Sequence, residues 1–385
     1  MFIATKSYSP GDVIVEKGEP QFYKLVPEMT GTHCESCFKS GPTKRCSACS
    51  SFSYCGKECA KKDWHAFHKH GECELYKKVK GSRVLDQLPC KRSVLFSIRV
   101  YLTLKTRPEL TKKEYQLPNG TTKTFEDLVS NVEGMKRDPD QMMLPYAVSK
   151  LLGPSIEGFD VDQWFAVYGK LSSNSFICYD EVSGELPLAS LFRMEKSFFN
   201  HSCRPNAGSP ALPKTSSMLT AIDEIAPGDE ITISYIDLFG SRDERRRRLK
   251  KSWYFDCECV RCSNPEEEQV IQKELLDLSQ KIMNLRLLLR NQNNGMRSRQ
   301  LFELSLKKHR LLEKLTGRFN GDLAEPLYEL VFLRMSLHQH FREKQSIKNL
   351  WEELIRLLEI SHGKESPMYA RIMNSEQAYF IKRMF

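Results

Sequence analysis

Asn200-His201-Ser202-Cys203-Arg204-Pro205-Asn206 is the stretch on which the reading turns, because cysteine clusters stand on both sides of it. Upstream the chain runs Cys34-x2-Cys37-x8-Cys46-x2-Cys49-x5-Cys55-x3-Cys59, followed by His65, His68, His70 and Cys73. Downstream, about fifty residues after Cys203, it carries Cys257-x-Cys259-x2-Cys262. With Cys203 these clusters hold eleven of the thirteen cysteines. Cysteines two residues apart present both thiolates to one ion, so the pattern suggests three tetrahedral zinc sites.

The chain of 385 residues exceeds one ordinary core and points to two or three domains. A hydrophobic fraction of 40% with 28% charged residues describes a soluble globular chain. The net charge of +9 is compatible with acidic partners such as nucleic acid or a histone-containing particle, and equally with a solvated basic surface. The first residues, Met1 to Asp12, contain no apolar stretch followed by a small-residue cleavage site, which argues against secretion. No run approaches the ~20 apolar residues of a membrane span. The odd number of cysteines favours thiolates on metal over disulfides, and hence a reducing compartment, cytoplasm and nucleus.

Along the chain, residues 1–30 read as β structure, with Val13-Ile14-Val15 after a Pro10-Gly11-Asp12 turn. Residues 85–165 read as mostly helical, broken at Leu117-Pro118-Asn119-Gly120 and at Asp138-Pro139-Asp140. Short strands return at Phe176-Ile177-Cys178, Ser217–Ala221 and Ile231–Tyr235. A charged helix is expected from Arg242 to Lys251, with Arg245–Arg248 on a solvated face. Beyond Pro265 an apolar stripe at Ile271, Leu275, Leu278, Ile282, Leu285 and Leu289 marks a helix closed by Asn291–Gly295. Further stripes near 301–315, 323–341, 347–360 and 368–381 suggest a TPR-like array of antiparallel helices without a strict repeat. Of the two cysteines outside the clusters, Cys90 reads as structural, and Cys178 follows Asn174-Ser175-Phe176.

The first cluster, with Tyr54-Cys55, Asp63-Trp64 and His68-Lys69, closely resembles a MYND zinc finger. Four blocks look like a SET domain with its post-SET zinc: Asn174-Ser175-Phe176, Asn200–Asn206, Pro227-Gly228-Asp229-Glu230-Ile231-Thr232-Ile233-Ser234-Tyr235 and Cys257-x-Cys259-x2-Cys262. Together they resemble the SMYD family, the SET- and MYND-domain protein-lysine methyltransferases. The resemblance implies an α+β fold, a β-rich SET core split by the finger and by a helical insert. The implied segments are 1–33 (first part of SET), 34–73 (finger), 74–165 (insert), 166–240 (core SET), 241–265 (post-SET) and 266–385 (TPR-like helices).

The same resemblance implies S-adenosyl-L-methionine as cofactor and three zinc ions. Cys34, Cys37, Cys55 and Cys59 would hold the first. Cys46, Cys49, Cys73 and a histidine would hold the second; this chain has one residue more than the usual spacing, so His68 leads and His70 is its rival. Cys203 with Cys257, Cys259 and Cys262 would hold the third. Tyr235 would be the catalytic hydroxyl at the end of the lysine channel, with Phe176 and Trp253 as channel walls; Trp253 stands where the family usually has tyrosine. Asn131, Asn174, Ser175, Asn200, His201 and Phe255 would contact the cofactor. The family's Gly-x-Gly turn, expected just before Phe2-Ile3-Ala4-Thr5, is missing, which reads as a truncated N-terminus or as a lost half of the cofactor grip.

Implied partners are histone and/or non-histone protein substrates, with proline-rich peptides or chaperones as candidates for the finger and the C-terminal helices, and no membrane. The chain is read as a monomer. A rival reading is a weakly active or inactive adaptor in transcriptional regulation. Direct nucleic-acid binding is a weakly supported alternative, because the finger has no reading helix of the usual kind.

Overall fold

The computed structural model describes residues 1–41, 43–179, 186–209, 217–291, 295–337 and 344–384. The α+β architecture is the expected one. Its β core comprises three small sheets around the 200–208 segment. Val13–Gly18 pairs antiparallel with Ser217–Ala221, which pairs in turn with Ala207–Gly208. Asn200–His201 runs parallel to Thr232–Ile233. Phe22–Leu25, Pro187–Phe192 and Ser175–Tyr179 form the third, antiparallel sheet, with Pro187–Phe192 in the centre. The N-terminal residues join this core through bridges of Ile3 to Glu230 and Tyr8 to Ile225. There Phe2 is buried against the Phe199 ring, with centroids 4.4 Å apart.

Asn206 ties the sheets together, since its side chain accepts from Thr232 N (2.8 Å) and donates to the Glu230 carbonyl (2.9 Å). Buried backbone groups in such short strands need side-chain partners, because the ladders alone cannot satisfy them.

Two helices hold this core from the insert side. Lys91–Thr106 is buried without interruption from Val94 to Leu104, so it is a central helix. Val161–Asn174 packs against it, with Trp164 Nε1 donating to Ser97 Oγ at 3.0 Å. Asp160 caps its start, accepting from the Asp162 and Gln163 amides at 3.0 Å. The helix passes directly into the strand Ser175–Tyr179, which fixes where Asn174, Ser175 and Phe176 point.

Arg99 lies in the middle of that buried run and is itself 1% exposed. Its guanidinium donates to Glu72 (2.8 to 3.1 Å), to Asp63 (2.9 Å) and to the Tyr23 carbonyl (3.0 Å). Lys24 completes the network on Glu72 at 3.0 Å, and Tyr54 donates to Asp63 at 2.6 Å. Asp63 and Glu72 belong to the cysteine-rich finger, so one arginine of the insert clamps the finger to the body.

The C-terminal part consists of helices Pro265–Asn291, Gly295–Thr316, Ala324–Ser336, Lys344–Ser361, Pro367–Met373 and Glu376–Met384. They share one apolar core that includes Ile222 of the β region. Thr220 donates to the Ile360 carbonyl at 3.2 Å, and Lys17 pairs with Glu365, which docks these helices on the first sheet.

Three expectations need correction. Leu117-Pro118-Asn119-Gly120 does more than break a helix: it is the tip of a hairpin, Tyr115–Gln116 with Thr122–Lys123, and Gly120 takes the positive φ of 81° there. The stripe at 368–381 divides into two helices at Asn374-Ser375. Arg245 is not on a solvated face; it is fully buried, as described below. Residues 338–341 of one expected stripe and 292–294 of one closing turn lie outside the described residues.

Arg99→Met would leave Asp63 and Glu72 buried with fewer partners. It is expected to lower the unfolding free energy by about 3–5 kcal/mol, measured by urea denaturation of the zinc-loaded chain.

Candidate active site and metal centres

The twelve residues assigned to metal by resemblance gather into three groups of four. Cys34, Cys37, Cys55 and Cys59 form one, Cys46, Cys49, His68 and Cys73 the second, and Cys203, Cys257, Cys259 and Cys262 the third. In each group the candidate ligand atoms lie within 4.8 Å of one another. Among the described residues no cysteine is joined to another by a disulfide. The closest sulfur pairs, Cys55 with Cys59 at 3.5 Å and Cys203 with Cys262 at 3.6 Å, are far longer than a disulfide.

Four sulfurs at such distances repel as thiolates. Without a cation they share protons: hydrogen bonds to Cys257, Cys259 and Cys262 push the Cys203 thiol up, while those from Cys203, Cys257 and Cys262 pull Cys259 down. A divalent ion removes the conflict, and thiolate–imidazole sets of four are the zinc donor set. The residues present therefore fit zinc.

The histidine ambiguity has a geometric answer. His68 is buried, with Nε2 3.5 Å from Cys49 Sγ and Nδ1 3.4 Å from Glu72. A carboxylate behind a ligating imidazole fixes its orientation and tautomer. His70 instead faces Thr106 Oγ1 (2.8 Å) and the His65 carbonyl (3.2 Å), and belongs to no metal group. The extra residue is accommodated at His70-Gly71, where the helix kinks and Gly71 adopts φ 94°.

At the third group the metal residues and the candidate active site interlock. Tyr235 N donates to His201 Nδ1 at 3.1 Å, and the other ring nitrogen lies 3.2 Å from Cys203 Sγ. Burial pushes His201 down to about 4, so the ring is neutral and Nε2 carries the proton toward the sulfur. Tyr235 donates its hydroxyl to the Phe199 carbonyl at 2.6 Å, and burial followed by Glu230 pushes it up to about 12. Trp253 packs on the Tyr235 ring at 5.2 Å and donates Nε1 to the Ser173 carbonyl at 3.3 Å. Phe255 stands 6.3 Å from the His201 ring.

Tyr235 and Trp253 line a cavity of about 270 Å³ together with Asn174, Ser175, Phe176, Lys196, Ser197 and Phe199, whereas His201 and Phe255 lie outside its lining. Ser175 Oγ is buried there without a hydrogen-bond partner among the described residues. Asn131 lies behind the wall; its amide donates to Ser173 Oγ (2.8 Å) and to the Trp253 carbonyl (3.1 Å). The Asn174 amide is likewise used on the Val129 and Lys170 carbonyls, and Asn200 Nδ2 donates to Glu230 at 2.7 Å. Cys178, on the adjoining strand, does not line the cavity, and Cys90 is an exposed residue at the start of Lys91–Thr106.

The family model for the SET domain matches residues 2–236, more than half of the chain. The protein belongs to the SET-domain family. Its relatives include the Arabidopsis thaliana histone-lysine N-methyltransferase ASHR1, 32% identical over 67% of this chain and 52% of that protein. Human N-lysine methyltransferase SMYD2 is 32% identical over 64% of the chain and 54% of its own length. Mouse histone-lysine N-methyltransferase SMYD3 is 28% identical over 72% and 64%. The chain thus spans about half the length of the first two of these relatives.

Three residues of this SET-domain site carried no clear mark in the sequence. Arg245 is fully buried, donating to Glu268 (2.6 and 2.9 Å) and to the Gly240 carbonyl (2.7 Å), with Nη2 3.8 Å from Cys262 Sγ. Arg261 shares Glu268 at 2.8 Å and donates to the Cys203 and Leu238 carbonyls. Both arginines therefore brace the third thiolate group. The third is Lys196, 2% exposed, with Nζ 4.4 Å from the Phe176 ring centroid and donating to Ser209 Oγ.

Elemental analysis after washing with a mild chelator is expected to return three thiolate-held zinc ions per chain. His68→Ala should lose one of them, and His70→Ala none. Loss from His70→Ala alone would contradict the geometry.

Proposed function

We propose that the protein is an S-adenosylmethionine-dependent protein-lysine N-methyltransferase acting on histone and/or non-histone proteins. The observation that carries this reading is the Tyr235 hydroxyl, anchored on the Phe199 carbonyl in the same aromatic cavity as Phe176 and Trp253. The cavity also fits a cofactor by its unpartnered Ser175 Oγ. In this reading Asn131, Asn174, Ser175, Asn200, His201 and Phe255 hold the cofactor, which supplies a sulfonium methyl group. The division of the chain at residues 34, 74, 166, 241 and 266 belongs to the same proposal.

The chain's own residues have three tasks. The first is to deliver the substrate amine uncharged, since only the neutral amine has a lone pair for in-line displacement. Lys196 reports on this: burial in the cavity, then Arg193, pushes its ammonium down to about 7. The same desolvation lowers the pKa of a substrate lysine entering between Phe176 and Trp253.

The second task is orientation. Tyr235 is held at both ends, its amide on His201 and its hydroxyl on Phe199. A group preorganised in this way accelerates transfer by placing the amine and by stabilising the charge that develops on it. The third task is exclusion of water, which falls to the aromatic walls and to the post-SET segment tied at Cys203.

A reducing compartment, cytoplasm and nucleus, suits thirteen cysteines outside disulfides. A second reading, peptide docking by an adaptor, is favoured by the half-exposed Trp64 beside Lys57 and Lys61 on a finger groove of about 360 Å³. Proline-rich peptides or chaperone segments would be its ligands there.

Tyr235→Phe keeps the ring and removes the hydroxyl. It should bind S-adenosylmethionine and fold normally, while radiolabelled methyl transfer to a panel of histone and non-histone proteins falls by about 100-fold. Equal transfer by both forms would remove Tyr235 from catalysis. No transfer by the parent chain, with zinc bound and the fold intact, would favour the adaptor.

A further inference from the structure

Two helices of the C-terminal part meet at a cluster that neither the thiolate centres nor the proposed methyl transfer uses. His309 and Glu313 stand four residues apart on Gly295–Thr316, hence on one face of that helix, and Glu353 reaches them from Lys344–Ser361. A ring nitrogen of His309 and a carboxylate oxygen from each glutamate lie within 4.8 Å of one another. We propose that His309, Glu313 and Glu353 form a binding site for a divalent transition-metal ion that staples these two helices together.

An ordinary ion-pair network explains part of the cluster. Arg310 donates to Glu313 at 2.9 Å and forks onto both oxygens of Glu353, and Arg318 stands 3.7 Å from Glu313. That accounts for the carboxylates and leaves the imidazole unexplained. His309 is 3% exposed, its Nδ1 is buried without a hydrogen-bond partner, and among the described residues the ring makes no hydrogen bond. Buried polar groups are almost always satisfied, so an imidazole that carries an orphan nitrogen beside two carboxylates points to a missing ligand. Burial, then Arg310, holds the ring below its usual pKa, which leaves the imidazole neutral with a lone pair to give.

Arg310 is compatible with the ion. A carboxylate oxygen has more than one acceptor direction, and ligating carboxylates are commonly held from behind by a second donor. The three donors would close on the ion by side-chain rotation to about 2.0–2.2 Å, with water filling the remaining positions. One imidazole and two carboxylates, with no thiolate, suit manganese, ferrous iron or zinc and disfavour cuprous copper. The two arginines make this site weaker than the thiolate centres, so a mild chelator strips it first.

The test uses the full chain, zinc-loaded and then washed with a mild chelator. Manganese is titrated in and followed by the loss of the free-ion electron paramagnetic resonance signal, since thiolate sites holding zinc do not exchange for this harder ion. The expected result is one manganese per chain, accompanied by a rise in melting temperature. His309→Leu, which fills the same apolar space, should bind none, and Glu353→Gln should bind at least tenfold more weakly. In a parallel arm, unwashed protein should hold one zinc beyond those resistant to the chelator, and His309→Leu should lack it. No manganese bound by the parent chain, or equal binding by His309→Leu, overturns the proposal.

Discussion

The four crowded sulfur atoms of Cys203, Cys257, Cys259 and Cys262 are the constraint from which the candidate site follows. A divalent cation relieves their mutual repulsion as thiolates, and the protein commits a buried salt-bridge cluster, Arg245 and Arg261 on Glu268, to keeping them together. Cys203 also lies two residues after His201, so the metal centre and the Tyr235 support share one short segment. The chain of contacts runs from sulfur to His201 Nε2, from His201 Nδ1 to the Tyr235 amide, and from the Tyr235 hydroxyl to Phe199. Tyr235 also packs against the cluster that contains Cys257 and Cys262, so the thiolate group and the tyrosine share one support.

The finger is connected by a different device. His68 leans on Glu72, and Glu72 is held by Arg99 and Lys24 from the body of the protein. Replacing the whole network by apolar side chains of similar volume would cost less than removing one member, because the danger lies in a stranded buried charge. The network therefore fixes where the finger sits more than it adds to stability. The same central helix packs against Val161–Asn174, whose last residues lead into the cavity wall, so the finger and the candidate site share a support.

Much of this was legible in the sequence because the cysteine spacings display metal sites directly, while the resemblance carried by Asn200–Asn206 and its companion blocks implied the ligand sets and the site residues. Spacing alone did not choose between His68 and His70; the choice rests on Glu72, a residue whose proximity exists only after folding. Arg245 was misread because four consecutive arginines usually mark a solvated face, and nothing local distinguishes the one that turns inward. Arg99 did leave a signal: a single charge inside Val94-Leu95-Phe96-Ser97-Ile98-Arg99-Val100-Tyr101-Leu102 is a buried cation awaiting carboxylates. Asn119-Gly120 was likewise a hairpin signal that the helical reading of its surroundings obscured. Lys196 had none, since its burial comes from residues distant in sequence, Phe176 and Ser209.

The central claim is that the thiolate centre at Cys203 closes the cofactor site, and calorimetric titration with S-adenosylmethionine tests it most directly. The zinc-loaded chain should bind one equivalent, and Cys257→Ser, with the finger zincs retained and the β core folded, should lose that binding. Equal affinity in the two proteins would separate the metal from the site and contradict the account.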